Sequence, residues 1–459
     1  MAAKREKIVG KSKADFDKLF SQDNGVYLHP SRLIPMYKLG DEMALTSAFL
    51  SSLGIIKDFR KQIFPTVGLP VSGTLHCFTE VGFKEFDNLR IDGLIVVEKA
   101  GKVADAAFLE MKNGSQDLEP NQLECYFDVA KKVGVPRLVT VSNQFVSHPS
   151  QSPVNVKPPK AVEQYHLSWS YILTVAQLLL QDNDTNIDDE TQRSIMYELV
   201  EYFQLNKSGI SGFNQMKKGW KTTAEKITAG STLRPKDPDL REAIESWIQE
   251  EKDMALVLSR ELGLLVQTGE KRFRNDYTAR VEAEAKYIVD KKRLGSRFKV
   301  DGAASDITVE ADFGKRTLSM SIELDAPQNK QLRGQLGWLY QQLKRCAKKS
   351  ESTWNKIADE ISIDAHIKYG GTERIKANEE NRERFVEEYK GKALKGYSIV
   401  HVKDLGKNFS NQKKYVQTAE EMLLEFYEAV VQHLKNWEPP APQMDKRSIS
   451  EDNELVNQE

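Results

Sequence analysis

Two carboxylates and one ammonium stand where buried strands would not ordinarily carry them. Asp92 interrupts the apolar run LRIDGLIVV, and Glu110 interrupts AAFLEMK. The β-favouring neighbours predict strands, so each acid belongs at a strand end where its side chain escapes the core. Lys112 follows Glu110 by two, and side chains two apart on a strand point to the same face. Glu110 and Lys112 therefore project into whatever space Asp92 also faces. Hard oxygen ligands of this kind suit Mg²⁺, which keeps several waters and bridges to phosphate. A metal so held lowers the pKa of water and offsets charge in an in-line displacement. The lysine can orient or help deprotonate that water, or act as a compact point cation. Gln122 and Tyr126 lie four apart on the next predicted helix, so they share one face that can turn toward the carboxylates.

Asp92 followed by Glu110-Met111-Lys112 resembles the signature of the PD-(D/E)xK nuclease superfamily, the restriction-endonuclease-like fold. Gln122-Leu123-Glu124-Cys125-Tyr126 is similar to the Q-x-x-x-Y pattern of its RecB-type exonuclease branch. Ile91, not proline, precedes Asp92. The resemblance covers about the first third to two-fifths of the chain. It implies an αβββαβ core and a metal held by Asp92, Glu110 and the backbone carbonyl of Met111. Lys112 would aid the water, and Gln122 and Tyr126 would position the substrate phosphate or the lysine. The implied ion is Mg²⁺, for which Mn²⁺ can substitute. Many members place a glutamate on the first helix near the metal, and Glu42 stands there as an accessory acid. A helix-start carboxylate is an equally good reading of Glu42.

The elements that must position these residues follow from periodicity. From Asp41, DEMALTSAFLSSLGIIKDFRKQIF carries Leu45, Phe49, Leu53, Ile56 and Phe59 at helical spacing. GTLHCFTEVGF predicts a strand before the Asp92 and Glu110 strands. Pro120 suits a first helical turn, Gly134 and Pro136 suit a helix end, and PRLVTVSNQFV is β-rich. The predicted order is helix, three strands, helix, strand. SHPSQSPVNVKPPK predicts an extended surface connection, and HLSWSYILTVAQLLL an edge strand and a helix. DTNIDDETQRSIMYELVEYF predicts a helix starting near Asp188 or Asp189.

Beyond this, Lys207, Lys217, Lys218, Lys221, Lys226, Arg234 and Lys236 face only Glu225, with Phe213 and Trp220 interleaved. Such a stretch suits a phosphate-tracking surface with stacking aromatics, and equally a solvated loop. Lys217, Lys218 and Lys221 are its candidate substrate contacts. Residues from Asp239 to Leu294 read as a helical hairpin. FKVDGAASDITVEADFGKRTLSMSIELD supplies three strands, and KQLRGQLGWLYQQLKRCAKK a helix. Here Glu323 precedes Gln335 by twelve, as Glu110 precedes Gln122, while Asp301 echoes Asp92 and Asp325 replaces the lysine. A degenerate second unit and a chance recurrence both fit that echo. A charged helix, a strand and a final amphipathic helix precede a proline-rich acidic tail.

The whole chain has 66 basic and 67 acidic residues, formal net charge −1 and pI ≈ 6.7, which excludes a globally basic binder but not a local basic groove. Three scattered cysteines form neither a disulfide framework nor a zinc motif and fit a reducing cytosol. MAAKREKIVGKSKADF has no apolar run after it, so no secretory signal is expected. His76, His148, His166, His366 and His401 lack metal-like spacing and read as structural or surface residues.

The expected fold class is α/β. Its parts are a nuclease-like domain over 28–182, a helical region with basic segments over 183–294, an α+β domain over 295–437 and a disordered tail over 438–459. The expected function is a Mg²⁺-dependent deoxyribonuclease with DNA as partner, RNA left open, no membrane, and a homo-oligomer compatible. Proteins resembling this superfamily often act in defence against foreign DNA or in repair. Two alternatives stand beside it: a catalytically silent or regulated nucleic-acid sensor on the same fold, and a helical interaction scaffold.

Overall fold

The computed structural model describes residues 8–30, 41–86, 89–146, 148–181, 186–268 and 276–438. Among them no helix is long and apolar enough to cross a membrane. Two sheets organise a mixed α/β chain. The first has six strands whose spatial order equals their chain order: β1 (Val26–Pro30), β2 (Thr74–Phe83), β3 (Leu89–Lys99), β4 (Lys102–Met111), β5 (Arg137–Ser142) and β6 (Glu163–Ser168). β1 to β4 form an antiparallel meander, whereas β5 joins β4, and β6 joins β5, in parallel. A parallel joint needs a crossover. Helix α4 (Pro120–Val133) supplies the first, entered through Pro120 and closed by Gly134 at φ 77°. The proline-rich connection over 148–160 supplies the second without regular structure.

Alternation along the strands gives each face its own core. Ala106 and Phe108 of β4 enter the core shared with α1 (Lys13–Leu19) and α4. Ala107, Leu109 and Met111 enter the opposite core, built with α2 (Glu42–Ile55), α3 (Lys57–Thr66), α5 (Trp169–Leu178) and α6 (Glu190–Gln204). Asp41 caps α2, its side chain accepting from Met43 N–H at 2.9 Å, and Asp189 caps α6.

The second sheet is antiparallel throughout and has seven strands. They are β7 (Gln267–Thr268), β8 (Arg293–Lys299), β9 (Ile307–Asp312), β10 (Thr317–Asp325), β11 (Ile361–Ile367), β12 (Thr372–Lys376) and β13 (Leu394–Asp404). Helices α7 (Lys218–Thr228), α8 (Pro238–Leu262), α9 (Tyr277–Lys291), α10 (Leu332–Lys349), α11 (Glu351–Ile357), α12 (Glu379–Glu388) and α13 (Gln412–Ala429) contribute to the one core built on it.

Two expectations change. The helical stretch 183–294 has no core of its own among the described residues: α6 packs in the first unit, α7 to α9 in the second. The first unit also begins earlier than residue 28, because Ile8, Phe16 and Phe20 are buried under its sheet. The expected tail lies, from 439 onward, outside the described residues. The units meet where α5 lies on α8. There Ser170 Oγ donates to Asp253 Oδ1 at 2.9 Å, and Arg260 Nη1 donates to Thr174 Oγ1 at 2.8 Å.

Candidate metal centre

The β3–β4 ladder pairs Gly93 with Leu109, which sets Asp92 opposite Glu110 at the next step. Opposed residues of an antiparallel pair share a face. That face is the one beneath α4, since Phe108 points there. Beyond Gly93 the paired register ends, and Met111 N–H donates at 2.8 Å to Asp92 Oδ2 instead. Gly93 has a second consequence. A Cβ there would stand 2.9 Å from Leu50 Cδ1, so glycine lets α2 lie close over β3. With α2 so placed, Glu42 in its first turn meets Lys112 at the sheet's end, Nζ to Oε1 2.9 Å.

Glu42, Asp92 and Glu110 each offer an oxygen, all within 4.8 Å of one another. Lys112 Nζ lies 2.7 Å from Glu110 Oε1, but not aligned as a hydrogen bond. Glu110 is fully buried, and its Oε2 has no hydrogen-bond partner. A buried carboxylate oxygen without a donor costs free energy unless a cation or proton meets it. Burial first, and then the Glu110 charge, push the Asp92 carboxyl well above its usual range. Burial also raises Glu110, against the pull of Lys112. For Lys112 burial acts downward, but Glu110 and Glu42 outweigh it and hold the ammonium charged. Close carboxylates that resist ionising together are what a divalent cation relieves. The donor set is all oxygen and carries up to three negative charges, which fits Mg²⁺ or Mn²⁺.

Gln122 and Tyr126 do share a face, and they touch: Gln122 Nε2 donates to Tyr126 OH at 2.8 Å. Tyr126 OH donates in turn to Arg90 O at 2.9 Å. Tyr126 is buried, and burial with the charges of Glu110 and Asp92 raises its pKa. Its hydroxyl ties α4 to the start of β3. Gln122 is half-buried and lines an open cleft of about 550 Å³ with Lys112, Gln116, Asp117 and Glu119. Sequence reasoning missed the last three, which lie in the polar connection SQDLEP between β4 and α4. It also missed Trp169, fully buried, whose Nε1 donates to Lys112 O at 2.8 Å.

The basic segment divides. Trp220 is not a stacking platform for a ligand. It is fully buried against Trp247, Phe313, Phe409 and Tyr415, with Nε1 donating to Phe409 O at 2.8 Å. An indole with an apolar body and one satisfied donor serves as core. Phe213 is half-buried against Phe145. Lys226 is held by Asp237 and Asp239. Lys218 and Lys221 are exposed, with Lys221 only 3.8 Å from Glu225, and Lys217 lies 3.9 Å from Glu245. Among the described residues none of the three pairs with a member of the carboxylate cluster. The segment before them does reach it indirectly: Gly114 N–H donates to Gly209 O at 2.8 Å, and Asn113 Nδ2 to Ser208 O at 2.9 Å.

The C-terminal echo does not converge. Gln335 is buried, donating from Nε2 to Pro327 O and Leu394 O and accepting from Leu394 N–H at 2.8 Å. Asp301 sits exposed in a turn beside Lys299, while Glu323 and Asp325 are exposed on β10. Among the described residues the only group of three such ligands is Glu42, Asp92 and Glu110. No protein-family model, curated protein or solved structure matches the chain.

Proposed function

We propose that the protein is a Mg²⁺-dependent nuclease acting on DNA, its centre formed by Asp92, Glu110, Lys112 and Glu42. The observation that carries this reading is the buried, unpartnered Glu110 oxygen beside two further carboxylates and a lysine kept charged. The element order α2, α3, β2, β3, β4, α4, β5, with one acid on each of β3 and β4 and one helix more than the expected core has, supports a restriction-endonuclease-like core. Asp92, Glu110 and Glu42 would hold the ion, with the Met111 carbonyl as the further ligand the resemblance implies. When bound, the ion would lower the pKa of a water and offset charge at the scissile phosphate.

The chain's own groups do the rest. Asp92 is held in one rotamer by Met111 N–H. Lys112 faces the cleft as a cation and would stabilise the pentavalent phosphate or orient the attacking water. Gln122, anchored by Tyr126, presents an amide to the same cleft and would fix the substrate phosphate. Defence against foreign DNA and repair are both roles for such an enzyme. The deciding experiment incubates purified protein with linear, circular and single-stranded DNA, with Mg²⁺, with Mn²⁺ and with chelator. Metal-dependent cleavage is expected, and its absence from every substrate would remove the nuclease reading.

A further inference from the structure

The most exposed large hydrophobic side chain among the described residues is Tyr369, at 99%. It sits at the tip of the β11–β12 hairpin in the sequence Lys368-Tyr369-Gly370-Gly371. Gly370 N–H donates to Ile367 O, and Ile367 N–H to Gly371 O, both at 3.0 Å. Within that turn Tyr369 takes φ 59°, the left-handed region that such a turn ordinarily reserves for glycine. Two glycines follow at once, yet the strained place holds a tyrosine that touches no core. A bulky residue kept at positive φ with its ring in water does nothing for the fold.

The surroundings say what the ring would meet. Lys368 N–H donates to Ala393 O at 2.8 Å, tying the tip to the loop that leads into β13. Lys368, Lys390, Lys392 and Lys395 are all exposed there, and none has a carboxylate partner among the described residues. Of the neighbouring acids, Glu387 lies 3.9 Å from Arg333, Glu373 and Glu388 act on Tyr389, and Asp325 stands opposite Gly396, the residue after Lys395. Among the described residues that follow Tyr287 in the chain, Tyr369 is the only exposed large apolar side chain, so the tip lacks the apolar rim of a protein-binding anchor. An isolated planar ring among free ammonium groups is instead the chemistry of single-stranded nucleic acid, lysines on phosphates and ring on an unpaired base.

We infer that the β11–β12 tip and the Lys390–Lys395 loop form a contact surface for single-stranded nucleic acid, with Tyr369 stacking on a base. This extends the nucleic-acid reading of the metal centre to a surface sharing none of its residues. The two therefore fail separately.

The test measures anisotropy of a labelled single-stranded oligonucleotide, and of its duplex, in chelator so that nothing is cleaved. Tyr369→Gly relieves the backbone strain and should keep or raise the melting temperature. It should nonetheless weaken single-strand binding about tenfold, the order expected for one stacked base. Tyr369→Phe keeps the ring and should restore the affinity. Lys390→Gln with Lys392→Gln should reduce the salt slope by about 0.7 per lysine. Equal affinity and salt slope in wild type, Tyr369→Gly and the double lysine variant would overturn the inference, as would no binding by the wild type. If the wild type cleaves nothing but binds through Tyr369, the nuclease reading falls and this surface stands.

Discussion

Met111 gives its backbone N–H to the Asp92 side chain at 2.8 Å, at the point where β3 stops pairing with β4. A ladder bond has been replaced by one that orients a carboxylate. Asp92 thus meets Glu110 in a fixed pose at the strand end, where the sheet opens.

Removing either charge should therefore remove chemistry and spare the fold. Asp92→Asn and Glu110→Gln each delete an anionic oxygen at nearly constant volume. Cleavage should fall at least about 10³-fold, since several kcal/mol of metal-derived stabilisation is at stake. Glu110→Gln should also hold or raise the melting temperature, because it takes an unsatisfied carboxylate out of the interior. Purified mutants that cut DNA at the wild-type rate would show that the ion sits elsewhere.

Much of this was legible from residue order, for local reasons. Asp92 and Glu110 betrayed themselves by breaking apolar runs, and Pro120 with Gly134 bounded α4 as their backbone preferences require. Glu42 was half-legible: its place in the first turn of α2 could be read, but its approach to Lys112 depends on how closely α2 rides over Gly93. Trp220 misled because a tryptophan among lysines looks exposed, and only long-range packing against Phe409 and Tyr415 buries it. β11 was overlooked although Ile361, Ile363, Ala365 and Ile367 alternate cleanly with polar neighbours, as a half-buried strand should. The division of the central helices between two cores has no local signature.

Gly93 offers a test of how Glu42 is delivered. Gly93→Ala would place a methyl 2.9 Å from Leu50 Cδ1 and 3.2 Å from Leu109 Cβ, so Leu50, or α2 with it, must give way. A loss of roughly 1–3 kcal/mol in stability is expected from such overpacking. Metal affinity, read by calorimetry with Mn²⁺, should weaken along with it because Glu42 moves with α2. Full Mn²⁺ affinity in the destabilised variant would show that Gly93 does not set the position of Glu42.

A pH effect on stability should arise outside this centre, between α8 and α13. Glu250 is fully buried, and burial with the charges of Glu420 and Asp253 raises its carboxyl well above the usual range. Burial, then Asp253 and Glu421 against the opposing Arg260, push Glu420 up to about 7. An acid whose folded pKa exceeds its unfolded one binds more protons when folded. Stability from Glu420 is then fully present at low pH and is lost as pH rises from the ordinary glutamate range through about 7. Glu420→Gln should raise the melting temperature at pH 8 and change little at pH 4. Equal shifts at both pH values would mean that the Glu420 charge has no part in the effect.

The lysines at the start of α7 should matter for binding alone. Lys217 and Lys221 have only loose partners, at 3.9 and 3.8 Å, which salt would screen. Replacing Lys217, Lys218 and Lys221 by glutamine should weaken duplex binding and lower the salt slope by about 0.9 for each phosphate no longer neutralised. Mn²⁺ affinity should not move. An unchanged slope would leave this segment as solvated surface.

The echo in the second unit supplies the sharpest control on where the chemistry resides. Glu323 is exposed on β10, with its N–H bound to Ser305 Oγ at 3.2 Å. Asp301 stands in a turn beside Lys299, and Gln335 spends its amide on backbone groups of the Pro327 and Leu394 segments. No lysine takes the place of Lys112, because Asp325 occupies it. Three carboxylates that do not converge have little affinity for a divalent ion, and nothing beside them would orient a water. Glu323→Ala removes neither a buried hydrogen bond nor a core side chain, so the fold should persist. Cleavage should stay within a few-fold of wild type, as surface substitutions ordinarily allow. If Glu323→Ala instead matched Glu110→Ala in lost activity while keeping its melting temperature, the catalytic centre would have to include the second unit.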